Sequence, residues 1–252
     1  MTKRAWDGRT YDRIGTPQAA WGRQVLDRFL LEGDETVLDA GCGSGRVTQQ
    51  LMERLPRGYV IAIDGSRSMI EAARERLGEH PRIEFDVQDL LELDLGERTV
   101  DGIVSTATFH WIDDHAVLFQ RLRGVLRDDG RLVAQCGGKG NLARVFAAVD
   151  AVMASSDYAD AFALWIDPCR FADAPETEGL LREAGFRQAH CWLAEAPVQP
   201  PEAELFLRTV ILGAHVERLT EDQGAPFVAA VLRRLPAPFE ADYVRLNIDA
   251  VA

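Results

Sequence analysis

A chain of 252 residues, 47% of them hydrophobic and 27% charged, is long enough to bury one large core without metal or disulfide support. Its formal net charge of -12 excludes a broad electrostatic footprint for DNA or RNA, yet a locally basic pocket for a small anionic substrate remains compatible with it. No apolar run reaches the length of a membrane span, and the first residues lead into no signal-type apolar core, so a cytoplasmic protein without membrane contact is expected.

Residues 17–31 place Trp21, Val25, Leu26, Phe29 and Leu30 on one helical face, with Pro17 in the first turn and Gly33 as the stop. Residues 36–39 read as a short buried strand and 46–55 as a helix carrying Val47, Leu51 and Leu55 at helical spacing. A second strand, 59–64, is rich in β-branched residues, and 66–77 has the pattern of an amphipathic helix capped by Ser66. Strands follow at 83–86 and 100–105, then a helix over 115–126. Asp128-Asp129-Gly130 is expected to turn the chain into a fifth strand, 131–136.

Parallel neighbours need crossovers that helices fill, so this alternation predicts an α/β fold with a doubly wound, mostly parallel sheet. After Cys136 the rhythm changes. Residues 137–173 carry no evident strand, a helix at 176–184 precedes a strand at 187–195, and 197–238 is again irregular and helical before a last strand at 243–251. The expectation is one domain over 1–252, with an N-terminal helical segment at 1–32 and two insertions, 137–173 and 197–238, forming a lid that recognises substrate. Cys42, Cys136, Cys169 and Cys191 form no C-x-x-C pair, and packing is their expected role, with no metal site.

The chemistry concentrates at the first strand-to-helix turn, Asp39-Ala40-Gly41-Cys42-Gly43-Ser44-Gly45. In open α/β sheets ligands lie beyond the carboxyl ends of the strands, and glycines there bring bare backbone against them. The spacing is G-x-G-x-G, with Arg46 and Val47 following, and lacks the third glycine of a dinucleotide fingerprint. An amino-acid moiety needs an acceptor for its ammonium group, which Asp39 is placed to hold or orient. Asp64 ends the second strand, where an acid accepts from both ribose hydroxyls. Asp89, in Asp86-Val87-Gln88-Asp89-Leu90, is placed for an adenine amino group, with Leu90 and Met69 against the ring faces. Each residue alone has a plain structural reading, as a cap, a solvated strand end or, for Met69, core packing; their joint order argues for a site.

With these motifs the chain resembles the class I S-adenosylmethionine-dependent methyltransferases over nearly its whole length. The resemblance rests on the glycine turn, on Asp64-Gly65-Ser66-Arg67-Ser68-Met69 and on the later Asp89. It implies a seven-stranded Rossmann-like sheet whose last strand is antiparallel and inserted between the fifth and sixth. It also implies a cofactor set of Tyr11, Asp39, Gly41, Gly43, Gly45, Asp64, Gly65, Met69, Gln88, Asp89, Leu90 and Thr106, with S-adenosyl-L-methionine as cofactor and S-adenosyl-L-homocysteine as product.

The segment after the fourth strand, Ser105-Thr106-Ala107-Thr108-Phe109-His110-Trp111-Ile112-Asp113-Asp114-His115, looks like that of the trans-aconitate and juvenile-hormone-acid methyltransferases, where a Gln-Trp or His-Trp pair matches His110-Trp111. That resemblance implies a small organic acid as acceptor and a methyl ester as product. Malonyl-carrier-protein methyltransferases share the general signature. His110 reads either as a pocket hydrogen-bonder or base or as a helix cap; Trp111 walls the acceptor site or packs in the core. An ionised carboxylate needs no general base, whereas a hydroxyl, amine or carbon acceptor would enlist His110. Arginine forks for a carboxylate are sought in the insertions, at Arg144, Arg170 and Arg208. Two further alternatives are a cofactor-binding interaction module that has lost catalysis and, against the glycine spacing, a dehydrogenase.

Overall fold

The computed structural model describes residues 16–252. Its frame is one seven-stranded sheet in the order β3-β2-β1-β4-β5-β7-β6. The strands are β1 Thr36–Ala40, β2 Tyr59–Asp64, β3 Ile83–Val87, β4 Val100–Thr106, β5 Leu126–Gly137, β6 Gln188–Glu195 and β7 Val244–Val251. β1 to β5 pair in parallel, while β7 runs antiparallel to both β5 and β6. The expected class I arrangement, with the last strand slotted between fifth and sixth, is what forms. The chain order reverses between β1 and β4, so the carboxyl ends of those strands flank the crevice where such sheets hold ligands.

Helices cover both faces. Helix α1 (Thr16–Arg28), α2 (Arg46–Arg54) and α3 (Arg67–Leu77) flank the first half of the sheet; Val25, Leu26, Leu51 and Ile70 join strand residues Val37, Val60 and Val104 in one cluster. Helices α4 (His115–Val125) and α7 (Ala174–Glu183) accompany a larger cluster in which Phe109, Leu118, Phe119 and Leu181 meet Leu38, Ile103 and Ile248. Each such side chain, fully buried, contributes roughly 1.5–3 kcal/mol relative to exposure.

A third cluster lies within the insertions. Helices α5 (Ala143–Met153), α6 (Ala159–Phe162), α8 (Ala203–Phe206), α9 (Gly213–Val216) and α10 (Glu221–Leu232) share a core of Val149, Phe162, Phe206, Leu212, Phe227 and Val231. Residues far apart in the chain thus make one unit, and Trp21 of α1 and Tyr243 before β7 are also part of it. Tyr158, Phe162 and Phe206 pack inside this unit. No helix among the described residues is long and apolar enough to cross a membrane.

Three local expectations need correction. Leu30 is 72% exposed, because α1 ends at Arg28 and the chain leaves the helical path before Leu30 could join Val25 and Leu26. Ser66 occupies the cap position of α3 but makes no side-chain cap bond; its Oγ pairs with Ser68 Oγ at 2.9 Å. Asp128-Asp129-Gly130 is a bulge inside β5 rather than a separate turn. Asp129 takes φ +65, and the pairing with β4 jumps from Val100–Leu126 to Gly102–Arg131.

Candidate functional site

The glycine turn is tied down by backbone bonds. Gly41 and Cys42 N–H donate to the Ile63 carbonyl (2.8 and 2.9 Å), and Gly45 N–H donates to Cys42 (3.0 Å). Gly41, Gly43 and Gly45 all have positive φ, at +84, +54 and +81. At Gly41 a Cβ would overlap the Thr108 side chain; at Gly43 it would meet nothing within 4 Å and project into open space. Gly41 therefore closes the turn against the chain, while Gly43 presents bare backbone in a cradle that a ligand could approach closely.

Asp64 joins the two ends of that cradle. One carboxylate oxygen accepts from Gly43 N–H (3.0 Å), the other from Ser66 N–H (2.8 Å). The two bonds hold the carboxylate fixed between the first and second strand-to-helix turns. Thr108 clasps the same turn from the other strand: its hydroxyl donates towards the Gly41 and Thr106 carbonyls, both at 3.1 Å, and Ser105 Oγ donates to Ala40 O at 2.6 Å. Thr106 thus sits at the junction of β4 with the turn.

Asp39 is 1% exposed and accepts from Thr48 Oγ1 at 2.7 Å. Burial pushes its carboxyl up to about 7, with the nearby Asp64 charge adding to the rise and the Thr48 bond opposing it. A raised native pKa means that stability is fully present below the unfolded value near 3.8 and is lost as pH rises through 7, at up to about 1.4 kcal/mol per pH unit. Asp39→Asn keeps an acceptor for Thr48 and removes the buried charge. Its melting temperature should exceed that of the wild type at pH 8, the gain should shrink by pH 5 and vanish only near the unfolded value of 3.8, and its affinity for S-adenosylhomocysteine at pH 8 should fall at least tenfold. Parallel melting curves and calorimetry check this; a variant less stable at pH 8 than at pH 5, relative to wild type, refutes the buried charge.

Asp89 caps the short 3₁₀ turn Leu90–Glu92 by accepting from Leu91 N–H at 3.1 Å. Leu90 and Met69 are both buried, at 5% and 6%. Gln88 is engaged elsewhere: its amide nitrogen donates to Asp86 (2.6 Å) and its oxygen accepts from Asp94 N–H (3.1 Å), which pins the loop. Gly65 lies between Asp64 and Ser66 on the same rim, and Tyr11 lies outside the described residues.

The second half of the site is the 3₁₀ turn Phe109–Trp111. Phe109 is anchored in the core edge-on to Phe119 at 6.1 Å, and its carbonyl pairs with Nε2 of the buried His115 at 2.9 Å. His115 is indeed a first-turn helix residue, and it braces this turn. His110 is clamped on several sides. Its Nδ1 accepts from Gly137 N–H (3.3 Å), its carbonyl accepts from Arg170 N–H (2.8 Å), and Phe171 stacks on the ring at 6.0 Å between centroids. Trp111 lies tilted beside it at 5.2 Å. Burial, then the charges of Arg245 and His115, lower its pKa to about 3. The ring is therefore neutral through the physiological range, and with Nδ1 accepting it carries its hydrogen on Nε2.

Of the arginines sought in the insertions, two are engaged in ion pairs and the third lies on the surface. Arg144 pairs with Glu240 (3.2 Å), Arg170 with Glu176 (2.5 Å), and Arg208 lines a shallow surface depression beside Glu202 and Glu204. A different arginine lies buried beside β5. Arg245, 4% exposed, is the register partner of Gly137 at the carboxyl end of β5. Its guanidinium lies over Trp21 at 4.5 Å, and its Nε donates to Gln135 at 3.4 Å. A larger cleft of about 580 Å³, lined by Arg28, Arg131, Arg182, Arg187, His190 and Asp249, opens at the amino edge of β5. It faces away from the glycine turn, on the edge that α/β sheets do not use for ligands.

Comparison with known proteins agrees with this geometry. Residues 37–130 match a family model described as a methyltransferase domain. The chain is 35% identical over 130 residues to the trans-aconitate 2-methyltransferase of Methylobacterium radiotolerans, covering 52% of this chain and 48% of that one. It is 33% identical over 129 residues to a malonyl-[acyl-carrier protein] O-methyltransferase of Ilyobacter polytropus, covering 49% and 46%. The match thus spans about half the length of these curated relatives. Among solved structures, phosphoethanolamine N-methyltransferase 2 of Haemonchus contortus, in complex with phosphomonomethylethanolamine and S-adenosylhomocysteine, superposes with a TM-score of 0.62 at 17% identity, covering 97% of this chain and 56% of that one, a likeness of fold.

Proposed function

The chain carries a class I S-adenosylmethionine-dependent methyltransferase domain, and from that premise we propose that it methylates a carboxylate oxygen of a small organic acid, forming a methyl ester and S-adenosylhomocysteine. The observation that carries this reading is the state of His110. A histidine whose conjugate acid has a pKa of about 3 is too weak a base to take a proton from a hydroxyl or an ammonium at neutral pH. A carboxylate has no such proton to lose. The reading in which His110 serves as base therefore loses its support, while a neutral Nε2–H suits a donor to an acceptor oxygen.

Bound S-adenosylmethionine supplies an electrophilic methyl carbon on a sulfonium. The chain's own work is binding, alignment and exclusion of water. The backbone at Gly41, Gly43 and Gly45 with Asp39 holds the amino-acid part. Asp64 receives the ribose hydroxyls. Asp89 takes the adenine amino group between Leu90 and Met69. His110 Nε2–H orients the acceptor, with Trp111 beside it, and the joint core of the two insertions covers the site as a lid.

The test is ester formation followed by mass spectrometry across a panel of carboxylic acids and their primary amides. Acids should yield methyl esters and amides nothing. With cofactor saturating, kcat for an acid should be flat between pH 5.5 and 8.5, and His110→Ala should keep measurable turnover. A rate limb in that range that disappears in His110→Ala would restore the base mechanism and refute this one.

A further inference from the structure

We infer that Phe171 is a positioning residue for His110: it sets the plane of the imidazole, and with it the direction of the Nε2–H, and it makes that setting depend on the first insertion. The inference rests on the reading in which His110 orients the acceptor, but the contacts that carry it involve no ligand. Phe171 stands near the end of the first insertion, between α6 and α7, and its ring stacks on His110 with centroids 6.0 Å apart and planes 26° from parallel. The same ring lies on bare backbone. A Cβ built at Gly137 would come within 2.7 Å of Phe171 Cε1 and 2.9 Å of its Cδ1, with Asn141 Nδ2 at 3.0 Å. Gly137 has no left-handed φ, so the close approach of this ring, and not backbone conformation, is what calls for glycine there. Gly137 is also the residue whose N–H donates to His110 Nδ1 at 3.3 Å. At that length the bond alone holds a ring loosely, and the side chain packed across both partners keeps it aligned.

The backbone around Phe171 fastens the same segment. Arg170 N–H donates to the His110 carbonyl at 2.8 Å, Arg170 Nη1 donates to the Asp113 carbonyl at 2.6 Å, and Lys139 N–H donates to the Ala172 carbonyl at 2.9 Å. Residues 170–172 therefore bridge the 3₁₀ turn Phe109–Trp111 to the end of β5, with the Phe171 ring at the junction. Phe171 also meets Phe146 of α5 at 5.9 Å, and Phe146 meets His215 of α9 at 6.3 Å. His215 in turn lies 4.6 Å from Trp165 and 6.3 Å from Phe227 of α10, between centroids. An unbroken line of rings runs from the shared core of the insertions to the imidazole. Packed side chains shift between discrete arrangements and do not yield gradually, so the ring at the end of that line transmits the state of the insertions to His110. A misplacement of about 1 Å in a group that orients a reactant can cost about 100-fold in rate.

The test follows the His110 ring nitrogens by NMR in enzyme saturated with S-adenosylhomocysteine, the signals being assigned by their loss in His110→Ala. Wild type should show one tautomer, with its hydrogen on Nε2. Phe171→Leu should show a mixture of tautomers, Phe171→Tyr should restore the single form, and Gly137→Ala, which displaces the ring from the other side, should shift the signals in the same direction as Phe171→Leu. Affinity for S-adenosylhomocysteine should change less than about threefold in Phe171→Leu and Phe171→Tyr, which certifies that they fold. With the acid that gives the most ester, Phe171→Leu should lower kcat by about 10- to 50-fold and leave KM for the cofactor within about threefold; in a His110→Ala background the same change should alter kcat by less than about twofold. The assignment is overturned if the His110 signals are unchanged in Phe171→Leu or in Gly137→Ala, if Phe171→Tyr disturbs them as much as Phe171→Leu, if the kcat loss persists without His110, or if Phe171→Leu loses S-adenosylhomocysteine binding, which would make Phe171 a structural brace. Altered signals beside an unaltered kcat, or no ester from any acid, would refute the role given to His110 in acid methylation and leave the positioning by Phe171 standing.

Discussion

Gly41→Ala is expected to abolish S-adenosylhomocysteine binding and to destabilise the fold strongly, whereas Gly43→Ala should abolish binding with a smaller loss of stability. Both residues take left-handed φ, which costs an alanine about 1–2 kcal/mol. Only Gly41 adds a clash. Its Cβ would run into Thr108, the residue that clasps the turn to β4, and overpacking of this kind costs about 1–3 kcal/mol more. A combined penalty of about 2–5 kcal/mol is a large part of a domain's stability and should lower the melting temperature by several degrees. At Gly43 the added methyl meets no protein atom within 4 Å, so its effect falls on whatever occupies the cradle. Calorimetry should record at least 100-fold weaker binding for Gly43→Ala beside a melting temperature that falls clearly less than that of Gly41→Ala. If both variants melt alike and both bind, the turn is not the cofactor cradle.

The same contrast explains which parts of this molecule can be read from residues alone. β1, β2 and β4 were legible because buried parallel strands are short, mostly apolar runs rich in β-branched residues, and their ends fall within one or two residues of expectation. The glycine turn was legible because backbone geometry there excludes other residues. Leu30 was misplaced because an apolar pattern continues past the point where α1 stops. Asp89 and Asp64 were proposed from their positions, but the backbone amides they bind were not foreseen, since Gly43, Ser66 and Leu91 become partners only through local folding.

Arg245 shows a deeper limit. Arg245, Asn247 and Asp249 alternate with Leu246, Ile248 and Ala250, a pattern that ordinarily marks one solvated strand face. β7 is instead an interior strand, and α1 covers that face, so Arg245 and Asn247 are 4% and 3% exposed. Which strand lies inside the sheet is a fact of topology, and a charged residue changes meaning with it. His110 was singled out as a position, but its protonation depends on Phe171, Gly137 and Arg245, which come from three distant segments. The joint core of the two insertions was likewise hidden, because their aromatics reveal apolar character and not which partner they meet.

Asp64→Ala is expected to weaken S-adenosylhomocysteine by about 100- to 1,000-fold while costing roughly 2 kcal/mol of stability. The carboxylate performs two separable tasks. Its bonds to Gly43 N–H and Ser66 N–H splint the first turn to the second, and both donors can rehydrate in part when it is removed, because the residue is only half-buried. Its proposed second task, accepting from the ribose hydroxyls, would contribute about 1.5–3 kcal/mol for each charge-assisted bond. Asp64→Asn retains one good acceptor and should fall between the two, at about 10- to 30-fold. Stability data alone do not separate the tasks, but a thermodynamic cycle does. An analogue of S-adenosylhomocysteine lacking both ribose hydroxyls should bind wild type poorly and should lose little more in Asp64→Ala, giving a coupling above about 1.5 kcal/mol. If the two losses simply add, within about 0.5 kcal/mol, Asp64 acts on the turn alone and the ribose is held by other groups.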